Sequence, residues 1–278
     1  MELSIDFLKN IALAVYNKIN PILGLKQNAL KQQKDRAGNF SKNIDLIAEE
    51  VVIDCLEKAS IDILLISEEI GEKYVGDKEK AIKSRHKLIV DPIDGSNNAI
   101  RGIPFCSTSI AFARGDTIDD LTKSVVLDLI TKSIYWADKG KGAYLNDERI
   151  YVSDNDILKN CILELNFPMR KIVEELTKYN LVTKKFYRIR VMGSTALSLC
   201  QISKGSVDAF IDLAEKSRLV DTAGGILILR EAGGKIFSKG GNNFNEKLSF
   251  DSKFSFVASN AKLEAFLKEN LKKIDNNY

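Results

Sequence analysis

The sequence predicts a layered α/β or α+β protein, and three observations carry that reading. Ile44, Ile47, Ala48, Val51, Val52, Cys55 and Leu56 recur at helical spacing and mark one strongly amphipathic helix. DILLIS (62–67) and KLIVD (87–91) are apolar runs of strand length that end abruptly in acids, as buried strands do when their C-terminal ends open onto a site. Segments of these two kinds alternate along the chain, with no repeat of fixed period.

Taken in order, Leu3, Phe7, Leu8, Ile11, Val15, Ile19 and Ile22 share one face of a helix over 3–22 that ends near Pro21. The polar, lysine-rich stretch 31–43, broken by Gly38 and Asn39, reads as a mobile surface loop. The helix from Ile44 and the two acid-ended strands follow. STSIAFARG (107–115) is a strand, and SVVLDLITKSIYWAD (124–138) alternates on both sides of Thr131-Lys132, the mark of a hairpin. A polar tract near 138–160, with Gly140 and Gly142, joins the two halves. Beyond it come a strand (CILELNF, 161–167), a helix (171–179) and a basic strand (KFYRIRVM, 185–192). GSTALSLCQISKG (193–205) is a short helix closed by Gly205, and VDAFIDL (207–213) a strand. DTAGGILILREAGG (221–234) reads as a helix capped by Asp221 and ended by Gly233-Gly234. FSFVAS (254–259) is the last strand, and 261–273 a C-terminal amphipathic helix.

Composition excludes several classes. With 278 residues and 45% hydrophobic content the chain can bury a sizeable core, as one large domain or two fused ones. Lys+Arg 41 against Asp+Glu 38 leaves a net charge of +3, which does not announce a nucleic-acid surface. No apolar run reaches the ~18 residues of a membrane span. Glu2 and Asp6 precede any basic residue, which argues against a secretory signal. Cys55, Cys106, Cys161 and Cys200 are far apart and form no C-x-x-C pair, so no cysteine cluster for zinc or iron is expected and free thiols in the cytoplasm are. The one histidine, His86 in KSRHK, reads as a solvated loop residue, and its isolation excludes mechanisms that need paired imidazoles.

The chemistry lies in acids. In D-P-I-D-G-S (91–96), directly after the strand KLIV, Asp91 and Asp94 stand three apart across a proline-containing turn and can converge. Carboxylates gathered at a buried strand end need a counter-charge, and Mg²⁺, which favours carboxylates, water and phosphate oxygens, is a suitable one. Gly95-Ser96 then begin a helix whose free N–H groups would face an anion. The alternative for these residues is an ordinary β-turn. Glu68-Glu69 close the strand DILLIS in the same way, Asp221 opens a helix, and Asp45 sits beside the buried stripe of its own helix. Alone, Asp221 is an N-cap and Asp45 a helix-face acid. Together, several carboxylate-bearing segments fit a metal cluster better than coincidence.

Asp45, S-E-E-I-G (67–71), D-P-I-D-G-S-N-N (91–98), G-S-T-A (193–196) and V-D-T-A-G-G…E-A-G-G from 220 occur in an order that resembles the inositol monophosphatase family, within the magnesium-dependent, lithium-sensitive phosphatases. D-G-S-N-N-A-I-R-G-I-P-F (94–105) and D-L-A-E-K-S-R-L-V-D (212–221) are more similar to its archaeal branch, which often combines inositol monophosphatase with fructose-1,6-bisphosphatase activity. The resemblance implies an αβαβα sandwich in which 1–278 form a single phosphatase unit, with a metal-motif half (1–150) and a substrate-side half (151–278). It implies two or three Mg²⁺ ions, with Mn²⁺ as a substitute, held by Glu68, Asp91, Asp94, Asp221 and the carbonyl of Ile93, with Asp91 bridging. Ser96, where relatives usually carry Thr, and Asp45 would orient an attacking water.

On the substrate side the resemblance implies Asp94, the amides of Gly95 and Ser96, the loop Gly193, Ser194 and Thr195, and Asp212 on ring hydroxyls. Arg190, ahead of Gly193, is a candidate for a second phosphate, as are Arg188, Lys216 and Arg218; the alternative for all four is a solvated basic edge, which is the preferred reading for Arg188 and Lys216. Ala214 stands where archaeal relatives often have Arg. The expected activity is hydrolysis of inositol monophosphate and of fructose 1,6-bisphosphate by a homodimer. The alternatives are a nucleotide phosphatase, acting on adenosine 3′,5′-bisphosphate or NADP, and a silent phosphosugar-binding protein.

Overall fold

Apolar faces sort the elements into alternating helical and sheet layers. The computed structural model describes residues 3–25, 32–34, 40–167, 171–212 and 217–275. Helix α1 (Ile5–Ile19) is capped by Ser4, whose hydroxyl accepts from the Phe7 N–H at 3.1 Å, and it gives way at Pro21 to a 3-10 turn, Asn20–Ile22. Strands β1 (Gln32–Lys34) and β2 (Phe40–Lys42) pair antiparallel. The stretch expected to be a loop therefore has ribbon arms, because backbone pairing needs no apolar pattern; 35–39 fall outside the described residues. Helix α2 (Asn43–Lys58) follows. Its Ile44, Ala48, Val52 and Leu56 share one apolar cluster with Leu8, Ile11 and Val15 of α1.

That cluster continues onto the outer face of an eight-stranded sheet. Its strands are β3 (Ile63–Ser67), β4 (Gly71–Val75), β5 (His86–Asp94), β6 (Ser107–Arg114), β7 (Leu121–Asp128), β8 (Ile134–Asp138), β9 (Gly142–Leu145) and β10 (Glu148–Ile150), in the spatial order β10-β9-β8-β7-β6-β5-β3-β4. Only the β3–β5 pair is parallel. Short helices α3 (Lys78–Ser84) and α4 (Ser96–Arg101) flank β5. Two readings are corrected here. The polar tract 138–160 contains the β9–β10 hairpin, half-exposed and so without an apolar signature. His86 is the first residue of β5 rather than a solvated loop residue, its ring set edge-on to Phe112 at 5.2 Å.

The second half contains β11 (Ile162–Asn166), α5 (Ile172–Lys178), α6 (Asn180–Thr183), β12 (Arg188–Arg190), α7 (Thr195–Ser203), β13 (Ala209–Asp212), β14 (Ser217–Arg218), α8 (Leu219–Glu231), β15 (Lys235–Ser238), β16 (Lys253–Phe254), β17 (Phe256–Ser259) and α9 (Glu264–Asp275). A five-stranded sheet runs β12-β11-β13-β17-β15, and β14 pairs with β16. Helices α7 and α8 lie between the sheets: Leu197, Leu199, Ile226 and Leu229 join Ile89 and Val126 of the first sheet and Phe210 and Phe256 of the second in one core. On the far face of the second sheet, Leu163 and Ile211 pack with Tyr179, Val182, Leu267 and Leu271. The layers are thus αβαβα.

Helix α8 is buried on nearly all sides, which explains its lack of an amphipathic stripe. A Cβ at Gly225 would fall 2.7 Å from the Leu199 Cβ, so glycine sets the close approach of α8 to α7. The helix starts at Leu219, so Asp221 lies in its first turn and is not the cap expected from sequence. All four cysteines are free thiols. Among the described residues no helix is long and apolar enough to cross a membrane.

Candidate metal centre and active site

The Asp91-Pro92-Ile93-Asp94 segment is strand, not the turn expected from sequence. In a regular strand residues three apart face opposite ways. The register of β5 against β6 shifts between Asp91 and Asp94, and such a bulge re-aims side chains. It also accommodates Pro92, which has no N–H to offer the ladder; the Pro92 carbonyl accepts instead from the Thr108 hydroxyl at 2.9 Å. Inside the bulge the Ile93 N–H donates to Asp91 Oδ1 at 3.0 Å, and the Ser96 hydroxyl donates to the Ile93 carbonyl at 3.3 Å.

Glu68 stands in the turn after β3. That turn is fixed by Glu49 of α2, one helical turn beyond Asp45, whose carboxylate accepts from the N–H groups of Glu69 at 3.3 Å and Ile70 at 3.1 Å. Asp221 comes from the first turn of α8. Carboxylate oxygens of Glu68, Asp91 and Asp221 lie within 4.8 Å of one another. Arg218 is folded into this group: its Nη1 donates to Glu68 Oε1 at 2.7 Å, and its Nη2 and Nε fork onto Asp221 at 2.8 and 3.2 Å. Arg218 is therefore no solvated basic edge. Asp94 stands outside the trio. Its Oδ2 accepts from the Ser194 hydroxyl and the Ala196 N–H, both at 2.7 Å, so it caps α7 from across the molecule.

The charges report this crowding. Burial, and then the charges of Glu68, Asp94 and Asp221, hold the Asp91 carboxyl well above the usual carboxylate range. Burial, and then Asp221, push Asp94 up to about 7 against the pull of the Ser194 hydroxyl and the Ala196 and Thr195 N–H groups. For Arg218 burial acts to lower the pKa, but Asp221, Glu68 and Asp91 outweigh it and raise the value. Carboxylates with a neighbouring backbone carbonyl form an all-oxygen donor set, which suits a hard divalent cation and not a soft metal.

The loop at Gly193 comes close to the chain just after β5. Gly95 has φ +89°, and a Cβ there would lie 3.0 Å from the Gly193 carbonyl oxygen. The Asn98 amide ties the same junction, donating to the carbonyls of Phe105 and Met192 at 2.8 Å each. Ser194 also meets Ser107, hydroxyl to hydroxyl, at 3.2 Å, and Thr195 begins α7. Asp45 is buried on α2. Asp212, expected on ring hydroxyls, is fully buried: its oxygens accept from Asn166 at 3.0 Å and Ser217 at 2.9 Å, so the side chain ties β13 to β11 and β14. Arg188 and Arg190 are exposed on β12. Lys216 and Ala214 fall outside the described residues.

Three contributors escaped the sequence reading. Glu49 could have been found from its i+4 spacing to Asp45, and the Arg218 fork from the R-x-x-D spacing across a helix start. Glu164 of β11 gave no signal. It is buried beneath the Gly193 loop, where burial pushes it up to about 7 and the Ser198 hydroxyl donates to it at 2.6 Å.

The profile of the inositol monophosphatase family matches residues 2–275. A bifunctional NADP phosphatase/NAD kinase of Methanococcus maripaludis is 34% identical over 276 residues, covering 91% of this chain and 46% of that protein. The chain thus spans about half the length of that relative. A fructose-1,6-bisphosphatase/inositol-1-monophosphatase of Methanothermobacter thermautotrophicus is 32% identical over 271 residues, covering 93% of this chain and 94% of the relative. Among solved structures, the extragenic suppressor protein suhB of Bartonella henselae superposes with a TM-score of 0.82 at 29% identity, over 96% of this chain and 98% of that one. The IMPase of Thermotoga maritima gives 0.79 at 25% identity, over 98% of each chain. A match that runs nearly end to end, on a fold these structures share, leaves no part of the core to another origin, and this chain belongs to the inositol monophosphatase family.

Proposed function

We propose that the chain is a Mg²⁺-dependent phosphomonoesterase acting on inositol monophosphate and on fructose 1,6-bisphosphate. The convergence of Glu68, Asp91 and Asp221 from three separate segments carries this reading. When bound, Mg²⁺ or its substitute Mn²⁺, in two or three ions, supplies the positive charge that acidifies water and neutralises a phosphate ester's oxygens. Glu68, Asp91 and Asp221 hold it, with Asp94 and the Ile93 carbonyl completing the donor set. Ser96 and Asp45 orient the attacking water, and the N–H groups of Gly95 and Ser96 face the phosphate. Gly193, Ser194 and Thr195 border the ring. The whole chain acts as one unit, its two halves meeting at the Gly95–Gly193 contact. Free cysteines support a cytoplasmic setting, and the exposed Ile189 of the edge strand β12, with Tyr187 and Val191 on either side of that strand, supports a homodimer.

The deciding experiment is phosphate release from inositol 1-phosphate, fructose 1,6-bisphosphate and NADP, with Mg²⁺ and after chelation with EDTA. Hydrolysis of the first two that needs Mg²⁺ is expected, and full activity after rigorous chelation sinks the proposal. Turnover of NADP alone selects a second reading, a nucleotide phosphatase, which the name of the Methanococcus maripaludis relative favours.

Arg190 tests the bisphosphate part. It lies two residues from Met192, whose carbonyl Asn98 holds, and its guanidinium meets only the Ile189 carbonyl, at 3.0 Å, among its described bonds. A charged hydrogen bond contributes about 1.5–3 kcal/mol, so Arg190→Ala should raise KM for fructose 1,6-bisphosphate roughly tenfold to a hundredfold. The kinetics on inositol 1-phosphate should move little. Equal losses on both substrates would assign Arg190 to the fold or to the shared phosphate site.

A further inference from the structure

The positive charge inside the carboxylate trio is Arg218, and its placement has a consequence for metal loading. We propose that Arg218 is an internal cation that a divalent metal must displace, so that this residue sets the metal affinity of the site. The proposal rests on reading the trio as the metal centre. Arg218 binds two of the three acids, Glu68 through Nη1 at 2.7 Å and Asp221 through Nη2 and Nε at 2.8 and 3.2 Å. Both Asp221 oxygens are taken by the fork, and oxygens of the three acids lie within 4.8 Å of one another, a span too small for a guanidinium and a metal ion to use the same lone pairs.

Guanidinium does not lose its proton in a protein, so the competition cannot be relieved by deprotonating Arg218 and has to be relieved by its movement. The surroundings allow it. The backbone of Arg218 is anchored, since the Thr222 hydroxyl donates to its carbonyl at 3.1 Å and the neighbouring Ser217 hydroxyl donates to Asp212 at 2.9 Å. The side chain itself is 36% exposed, against 19% for Glu68 and 17% for Asp221, so it has a route outward that the acids lack. In the metal-free protein the fork neutralises acids that would otherwise repel one another; in the loaded protein it is withdrawn. If the arginine is seated in all but about a tenth of molecules, the apparent affinity for metal falls about tenfold.

The test compares the wild-type protein with Arg218→Met, which keeps length without charge, and Arg218→Lys, which keeps charge without the fork. Mg²⁺ and Mn²⁺ binding is measured by isothermal titration calorimetry on the full chain, and thermal unfolding is followed in EDTA. Arg218→Met should melt below wild type without metal and bind Mg²⁺ about tenfold or more tightly, with Arg218→Lys between the two. If Arg218→Met does not fold, the lysine variant decides, with tighter Mg²⁺ binding than wild type expected. Wild-type binding combined with equal or weaker binding by the variants overturns the proposal and makes Arg218 a fixed strut that orients Glu68 and Asp221. Absence of binding by wild type and variants alike fails the metal centre itself, an outcome distinct from that one.

Discussion

Asp221→Asn and Asp94→Asn should each lower kcat roughly a thousandfold or more, because each removes a negative charge from the proposed metal centre, worth several kcal/mol of transition-state stabilisation. The fold should survive both changes. Asp221 sits in the first turn of α8, and its Arg218 partner can keep its bond to Glu68. At Asp94 the asparagine carbonyl can still accept from the Ser194 hydroxyl and the Ala196 N–H, so the cap on α7 is kept while the charge is lost. Circular dichroism and melting curves check the fold, and Mg²⁺ titration checks the loss of a ligand. Near-normal kcat with unchanged Mg²⁺ affinity in either variant would remove that residue from the donor set.

In EDTA the protein should lose stability as pH rises from about 4 to above 7. The sign follows from proton counts. In the unfolded chain these carboxyls release their protons near ~3.9–4.3. In the folded chain Asp94 and Glu164 keep theirs up to about 7, chiefly because of burial, and Asp91 is raised as well. Between those limits the folded state binds more protons than the unfolded one, so stability is fully present below the unfolded values and falls as pH climbs through the folded ones. The slope is on the order of 1.4 kcal/mol per pH unit for each such group. Saturating Mg²⁺ should remove the share owed to Asp91 and Asp94 and leave that of Glu164, which Glu164→Gln should then abolish. A melting temperature in EDTA that stays flat from pH 5 to 8.5 contradicts the electrostatic account of the site.

What could be read in the sequence was whatever burial writes as a pattern. α1 and α2 pack one face against a core and show it as helical periodicity, while β3, β6 and β7 are covered on both faces and show it as apolar runs of strand length. β4, β9, β10 and α3 are half-exposed or short and draw their stability from ladder bonds and neighbours, which leave no apolar trace. The acidic motifs were visible because carboxylates at strand ends are conspicuous. Their partners were not: Asp212, expected on ring hydroxyls, is buried and accepts from Asn166 and Ser217, which nothing local signals. Arg218 could be read only as a second-phosphate candidate or a solvated basic edge, because its partner Glu68 lies 150 residues away along the chain.

The Asp94 carboxylate meets Ser194 and Ala196, partners 100 and 102 positions away, and Glu68 meets Asp221 across a comparable span. A chain segment holding only the first sheet cannot assemble the proposed donor set, whatever its local structure. The centre comes into being only when the loop before α7 and the start of α8 have docked on β5, a long-range closure that is slow relative to local helix and hairpin formation. Divalent metal therefore has nothing to grip in a half-built molecule, and it adds its binding energy only to the finished one. During refolding, uptake of Mg²⁺ or Mn²⁺ would mark the last docking step, so a metal-sensitive signal serves as a clock for completion of the native state.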